Sequence, residues 1–141
     1  MYNIQPFIGL GNLKLGMGKS EIRQLLNEPF TSVASERDTV FVGWYRPQSD
    51  YFKRSKIKVE YDESDQCTFI EMAENTEAVF EGVQLFKLTY RELLEFIKKQ
   101  DPNVEEEAES FSSPRLGIAA TATDEEDYLS LPASLLAIFA K

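Results

Sequence analysis

Gly11-Asn-Leu-Lys-Leu-Gly-Met-Gly-Lys-Ser-Glu-Ile-Arg-Gln-Leu-Leu-Asn-Glu-Pro29 is the stretch from which the rest of this chain is read. Leu13, Leu15 and Met17 alternate with Lys14 and Gly16, the period-two pattern of a strand with one buried face. Gly18 then stands where a helix N-cap belongs, and Glu21, three residues on, is placed to reach back to the unpaired N–H groups of the first turn. Ile22, Leu25 and Leu26 form one apolar stripe, and Asn27-Glu28-Pro29 stops the helix, because a residue preceding proline disfavours the α region. The reading is strand, glycine turn, short helix, stop.

The same order returns when Glu92 is laid on Glu21, an offset of 71 residues. Gly82 then falls on Gly11, Phe86 on Leu15, Leu88 on Met17, Thr89 on Gly18, Leu93 on Ile22, Phe96 on Leu25 and Ile97 on Leu26. Thr89 and Glu92 also have the spacing of a capping box, in which hydroxyl and carboxylate satisfy each other's helix-end N–H groups. Asp101-Pro102 ends this second helix as Glu28-Pro29 ends the first. Any strand-to-helix junction shares some of these features, but an offset of half the chain points to a tandem duplication, residues 1–75 and 76–141, within one compact domain spanning 1–141.

After the first helix, Thr31 to Asp38 reads as a polar loop and Thr39 to Tyr45 as a strand rich in β-branched and aromatic residues. Arg46 to Asp50 reads as a turn or excursion before Tyr51 and Phe52. Ile57, Val59 and Tyr61 alternate with Lys56, Lys58 and Glu60, Asp62 to Gln66 supply turn chemistry, and Cys67 to Met72 pairs back. In the second half Asn103 to Glu109 is an acidic connector, and Ser110 to Ser113 and Leu116 to Thr123 have strand character. Asp124 to Asp127 makes an acidic turn, and Tyr128 to Leu131 starts the return. Residues 133–141 fit either a helical stripe or a terminal strand, and the duplicated plan favours strand. The expected fold is α+β: two similar halves, each a strand-turn-helix followed by an antiparallel meander, forming a sheet with helices on one face.

Composition bounds the function. With 43% hydrophobic and 12% aromatic residues the 141-residue chain can bury a core. Fifteen basic against twenty-four acidic side chains give a net charge of −9, which argues against a nucleic-acid or anionic-membrane surface and suits a basic partner. Cys67 is the only cysteine, so an internal disulfide is excluded. No basic, apolar leader opens the sequence and no stretch is long and apolar enough to span a bilayer, so a cytoplasmic location is expected.

Catalytic motifs are missing from the sequence. The chain has no histidine, which removes the commonest general base, metal ligand and partner of a nucleophile. Cys67 lies in an alternating strand with no base nearby in sequence, the setting of a buried structural thiol. Gly16-Met-Gly-Lys-Ser20 ends like a P-loop, but Asn12 or Leu13 stands where its first glycine belongs. No acidic run has the spacing of a calcium loop. The expectation is a non-enzyme without catalytic residue, cofactor or metal.

Two groups of residues qualify for protein binding. Glu105, Glu106 and Glu107, with Glu109, and Asp124, Glu125, Glu126 and Asp127 could form an electronegative surface that steers a basic protein, or could be solvated loops. Trp44, Tyr45 and Tyr51 are core residues or exposed aromatic anchors beside the Arg46–Asp50 excursion.

With its leucine-glycine-methionine turn, its glutamate early in the helix and its leucine pair before an acid-proline stop, Gly11–Pro29 resembles the opening of small bacterial α+β modules of the SmpA/OmlA type. It is also similar to each half of the β-lactamase-inhibitor-like fold, in which such modules occur in tandem. The resemblance covers nineteen residues well and the second half faintly, and it implies a protein that binds other proteins. The chain departs from the outer-membrane members in lacking a lipid-attachment cysteine near its start, and from the secreted inhibitors in lacking their disulfides. The functions expected are therefore a cytoplasmic immunity or inhibitor protein that occludes a basic partner, or a structural or accessory module that self-associates as a homodimer.

Overall fold

The computed structural model describes residues 2–34 and 48–141, so the strand expected over Thr39–Tyr45 lies outside the described residues. The fold is α+β, built mostly of strands. β1 (Tyr2–Gln5), β2 (Gly9–Leu10) and β3 (Leu13–Lys14) form a short antiparallel meander. Helix α1 (Lys19–Leu26) leads into β4 (Phe30–Ala34), β5 (Gln48–Phe52), β6 (Ile57–Tyr61) and β7 (Cys67–Ala73). A hairpin of β8 (Ala78–Phe80) and β9 (Val83–Gln84) and a 3₁₀ turn at Leu85–Lys87 precede α2 (Tyr90–Gln100). The chain ends with β10 (Glu105–Glu106), β11 (Ser110–Ser113), β12 (Ile118–Thr121) and β13 (Leu135–Phe139).

These strands make two sheets where the sequence pointed to one. The larger is antiparallel throughout, in the order β10-β11-β12-β13-β7-β6-β5-β4. The smaller runs β3-β2-β1-β8-β9, its middle closed by a parallel pairing that sets Tyr2 opposite Ala78. That pairing joins segments far apart in the chain, and no local pattern encodes it.

Local chemistry accounts for the helix ends. Gly18 is the extended N-cap of α1, and Asn27, in the left-handed region at φ 44°, closes the helix by donating its N–H to the Arg23 carbonyl, two residues before the expected proline stop. Thr89 and Glu92 form the expected capping box: the Glu92 N–H donates to Thr89 Oγ1 at 3.1 Å and the Thr89 N–H to Glu92 Oε1 at 2.9 Å. Gly9 is required by close approach, since a Cβ there would lie 2.2 Å from the Leu13 carbonyl oxygen across the β2–β3 hairpin.

Other expectations are corrected. Thr31–Ala34, read as loop, belongs to β4, and Gln48–Asp50, read as a turn, belongs to β5, because each strand finds its register in the other. The strand expected over Leu13–Met17 stops at Lys14, since the amides of Gly16 and Met17 turn to the carbonyls of Cys67 and Lys14. Tyr128–Ser130 is a 3₁₀ turn and starts no strand, and the acidic connector contains β10. The terminal segment is strand, as the plan favoured.

One face of the large sheet forms the core. A single row of paired residues crosses it, Phe30, Phe52, Ile57, Met72, Leu136, Ala120, Phe111 and Glu106, and all but the two end residues are buried. The next row reads Asp50, Val59, Ile70, Ile138, Ile118, Ser113, buried throughout. Ile22 of α1, Leu93 and Ile97 of α2, and Ile4, Leu10, Leu13 and Phe80 of the small sheet share this core. The hydrophobic driving force thus places the small sheet and both helices against one side of the large sheet.

At the two ends of that second row a buried polar residue ties the sheet to a helix. Asp50 accepts hydrogen bonds from Arg23 Nε (2.8 Å) and Nη2 (3.0 Å) of α1, from Ser32 Oγ (2.6 Å) and from the Tyr61 hydroxyl (2.9 Å). Burial alone would push its carboxyl up, but the bonds from Arg23, Ser32 and Tyr61 together hold it below the usual carboxylate range. At the other end the Ser113 hydroxyl donates to Asp101 Oδ2 at 2.6 Å, and Asp101, the C-cap of α2, also accepts the N–H groups of Asn103 and Arg115. The Ser113 bond, outweighing burial, together with those backbone donors keeps Asp101 low as well.

Asp50→Asn is expected to cost about 2 kcal/mol at neutral pH, the scale of a charge-assisted hydrogen-bond cluster with one partly solvated partner. Because the folded value lies below the unfolded one of about 3.9, the wild-type advantage is full above that range and is lost as pH falls through the folded value. Urea unfolding of both proteins from neutral to acid pH should show the gap closing; a gap independent of pH would show that the ionised carboxylate is not what holds α1.

Candidate protein-binding surface

The second face of the large sheet carries the complementary row: Thr31, Tyr51, Lys58, Glu71, Ala137, Ala119, Ser112 and Glu105. Strand alternation forces this, since each of these residues neighbours a core residue along its own strand. Two of the candidates from the sequence, Tyr51 and Glu105, therefore share one face and one row. They stand six strand spacings apart, roughly 29 Å. Among the described residues, the aromatic candidate Tyr51 thus does not converge with the acidic ones. Trp44 and Tyr45 lie outside the described residues.

The acidic candidates do converge. The Ala122 N–H donates to the Glu109 carbonyl at 2.8 Å and the Tyr128 hydroxyl to the Ala108 carbonyl at 3.2 Å, which lays the Asp124–Asp127 connection alongside residues 107–109. Glu105, Glu106, Glu107, Glu109 and Asp124 to Asp127 are all exposed at this end of the molecule. Glu106 points to the core side and is bridged to Lys98 of α2 at 2.6 Å, so it braces the helix. Tyr90 lies buried beneath, its hydroxyl pushed up to about 12 by burial first and then by Tyr128, Glu106 and Glu109.

Beside these acids the second face is hollow. Glu105, Glu107, Ser110, Ser112, Ala119 and Thr121 line a trough of about 230 Å³. Its floor consists of side chains of one to three heavy atoms beyond Cα, because Ser110 and Ser112 flank the inward Phe111, and Ala119 and Thr121 flank the inward Ala120. Two carboxylates rim it and three hydroxyls lie along it, which is the donor-accepting chemistry suited to an ammonium or guanidinium on an aliphatic stem. The sequence pointed to Glu105 and Glu107 but not to the floor. The available signal was the alternation of small with apolar residues in Ser110–Ser113 and Ile118–Thr121.

The Gly16–Ser20 turn is a joint between α1 and the sheet. The N–H groups of Gly16, Met17 and Lys19 donate to the carbonyls of Cys67, Lys14 and Asp65, and Lys19 Nζ lies 3.3 Å from Asp65 and 3.1 Å from Gln48 Oε1. With those three amides already engaged, the turn does not present the ring of free donors that cradles a phosphate. Among the described residues no group of three or more His, Cys, Asp or Glu side chains is arranged to hold a metal. No helix among them is long and apolar enough to cross a membrane.

No protein-family model, no curated protein and no solved structure matches this chain.

Cys67 is buried, and burial pushes its thiol up to about 12. A thiol reagent at mildly alkaline pH is therefore expected to leave the native protein unmodified and to react at the rate of unfolding in denaturant. Rapid modification of the native state would remove Cys67 from the core and reopen it as a nucleophile.

Proposed function

We propose that this protein is a non-enzymatic, internally duplicated protein-binding module whose acidic trough receives a basic side chain of its partner, as a cytoplasmic immunity or inhibitor protein would. The observation that carries the reading is the trough: a concave, small-residue surface on the second face of the sheet, rimmed by Glu105 and Glu107. Charge distribution supports it. Residues 1–75 carry nine basic and eleven acidic side chains, and residues 76–141 carry six and thirteen, so the negative field is concentrated at the trough end.

The duplication is supported by the order of elements. Gly18 and Thr89, at the offset of 71 residues, are both N-caps, and among the described residues four strands of the large sheet follow each helix. The two sets run in reverse order out from the central β7–β13 pair. Asp50 and Ser113, the polar ends of one core row, occupy corresponding places and each fixes its own half's helix. A cytoplasmic setting belongs to the same proposal and is supported by the lone, buried cysteine.

The reading is tested with an arginine-rich peptide followed by amide chemical shifts, and with capture of partners from lysate at low and high salt. Shifts centred on Ser110, Ser112, Ala119 and Thr121 are expected, and Glu105→Gln with Glu107→Gln should weaken binding about tenfold, the worth of one charge-assisted contact. Shifts spread evenly over every acidic segment, the Asp62–Asp65 turn included, would reduce the trough to a diffuse negative surface.

A further inference from the structure

We propose that β4 is a dimerisation edge, at which two copies of the chain pair β4 to β4 antiparallel and run their eight-stranded sheets together. The two edges of the large sheet differ in the features that control pairing. β10 is two residues long and both are glutamate, and shortness and charge each block the addition of a further strand. β4 is Phe-Thr-Ser-Val-Ala, with no charge and no proline, paired along all five residues to β5 and, among the described residues, to nothing on its other side. Alternate residues of an antiparallel strand turn their N–H and C=O groups to each side, so β4 presents a row of backbone donors and acceptors outward. Phe30, Val33 and the neighbouring Tyr51 are 40%, 48% and 38% exposed.

Charge identifies the occupant as a second copy. A two-fold axis at β4 joins the nearly balanced ends of two molecules and leaves the strongly acidic ends at opposite extremes, whereas joining β10 to β10 would bring those acids together. Pairing β4 to β10 would match five residues with two. Antiparallel pairing centred on Ser32 is self-complementary: Ser32 meets Ser32, and Thr31 of each copy meets Val33 of the other, so that Thr31 is flanked by that Val33 on one side and by Tyr51, its β5 partner, on the other. One strand pair with these side chains buries less than the roughly 1,200 Å² of a stable interface, so the dimer is reversible and concentration-dependent. It leaves both acidic troughs free and does not rest on what they bind.

Sedimentation velocity of the full chain from low micromolar to millimolar concentration is expected to show a monomer–dimer equilibrium. Val33→Lys, whose fold circular dichroism would verify, should raise the dissociation constant about tenfold or more. A mixture of Thr31→Cys and Val33→Cys proteins should form a disulfide between copies under mild oxidation. Either variant alone should not, because identical positions lie two residues out of register and beyond disulfide reach. Buried Cys67 stays out of the exchange. A monomer at every concentration, a dimer indifferent to Val33→Lys, or cross-linking equal in the single variants and the mixture would each overturn the proposal. Should Val33→Lys fail to fold, the cysteine pair still decides it.

Discussion

The pairing of β7 with β13 is the constraint on which the other elements depend. Five registered pairs set Ile70 against Ile138 and Met72 against Leu136, all at most 1% exposed. At roughly 1.5–3 kcal/mol for each fully buried aliphatic side chain, these four contribute about 6–12 kcal/mol before the entropy of bringing the strands together is subtracted. That is the scale of a whole domain's net stability. Without that pairing, β4–β7 and β10–β13 are two separate antiparallel ribbons, each with a new exposed edge in its most apolar stretch. The chain must therefore deliver its last strand before its middle one is protected, a non-local step that places it among slower-folding topologies.

Once that seam is closed, the helices are positioned by polar groups as well as by apolar ones. Apolar packing of Ile22, Leu93 and Ile97 presses the helices onto the sheet but is non-directional. The Asp50–Arg23 fork adds direction, because a bidentate guanidinium–carboxylate pair fixes both separation and angle. The Asp101–Ser113 bond does the same for α2 from the opposite side of the chemistry, with the carboxylate on the helix end and the hydroxyl on the strand. Arg23 also lies over the Phe30 ring at 4.3 Å, so the same side chain holds the first residue of the edge strand β4. The conformation of the edge is thus tied to the buried network.

Much of this was legible in the sequence where the cause is local. The capping box at Thr89–Glu92, the N-cap at Gly18, the alternation of Ile57, Val59 and Tyr61 and the burial of Cys67 all follow from residues within a few positions of each other. What stayed hidden has a non-local cause. Ser32 and Asp50 read as loop and turn because they are polar, yet each lies on the core-side face of its strand and is satisfied by the other and by Arg23. The second sheet depends on Tyr2 meeting Ala78, and the trough depends on β11 and β12 lying side by side so that four small residues fall together. Acidity at 105–109 and 124–127 was visible as composition, while their proximity required the Ala122–Glu109 and Tyr128–Ala108 hydrogen bonds.

The two ends of the large sheet consequently obey different physics. At the β10 end, exposed carboxylates act over a distance set by screening, about 8 Å at physiological ionic strength, an interaction that weakens with salt. At the β4 end the side chains are uncharged and the outward groups are backbone amides and apolar surface, which act only at contact and lose little to salt. An antiparallel sheet whose strands run out in opposite order from a central seam keeps these ends apart by its width. The two edges lie seven strand spacings apart, roughly 33 Å. The buried ties at Asp50 and Asp101 fix each end locally, one joining α1 to β5 and the other α2 to β11.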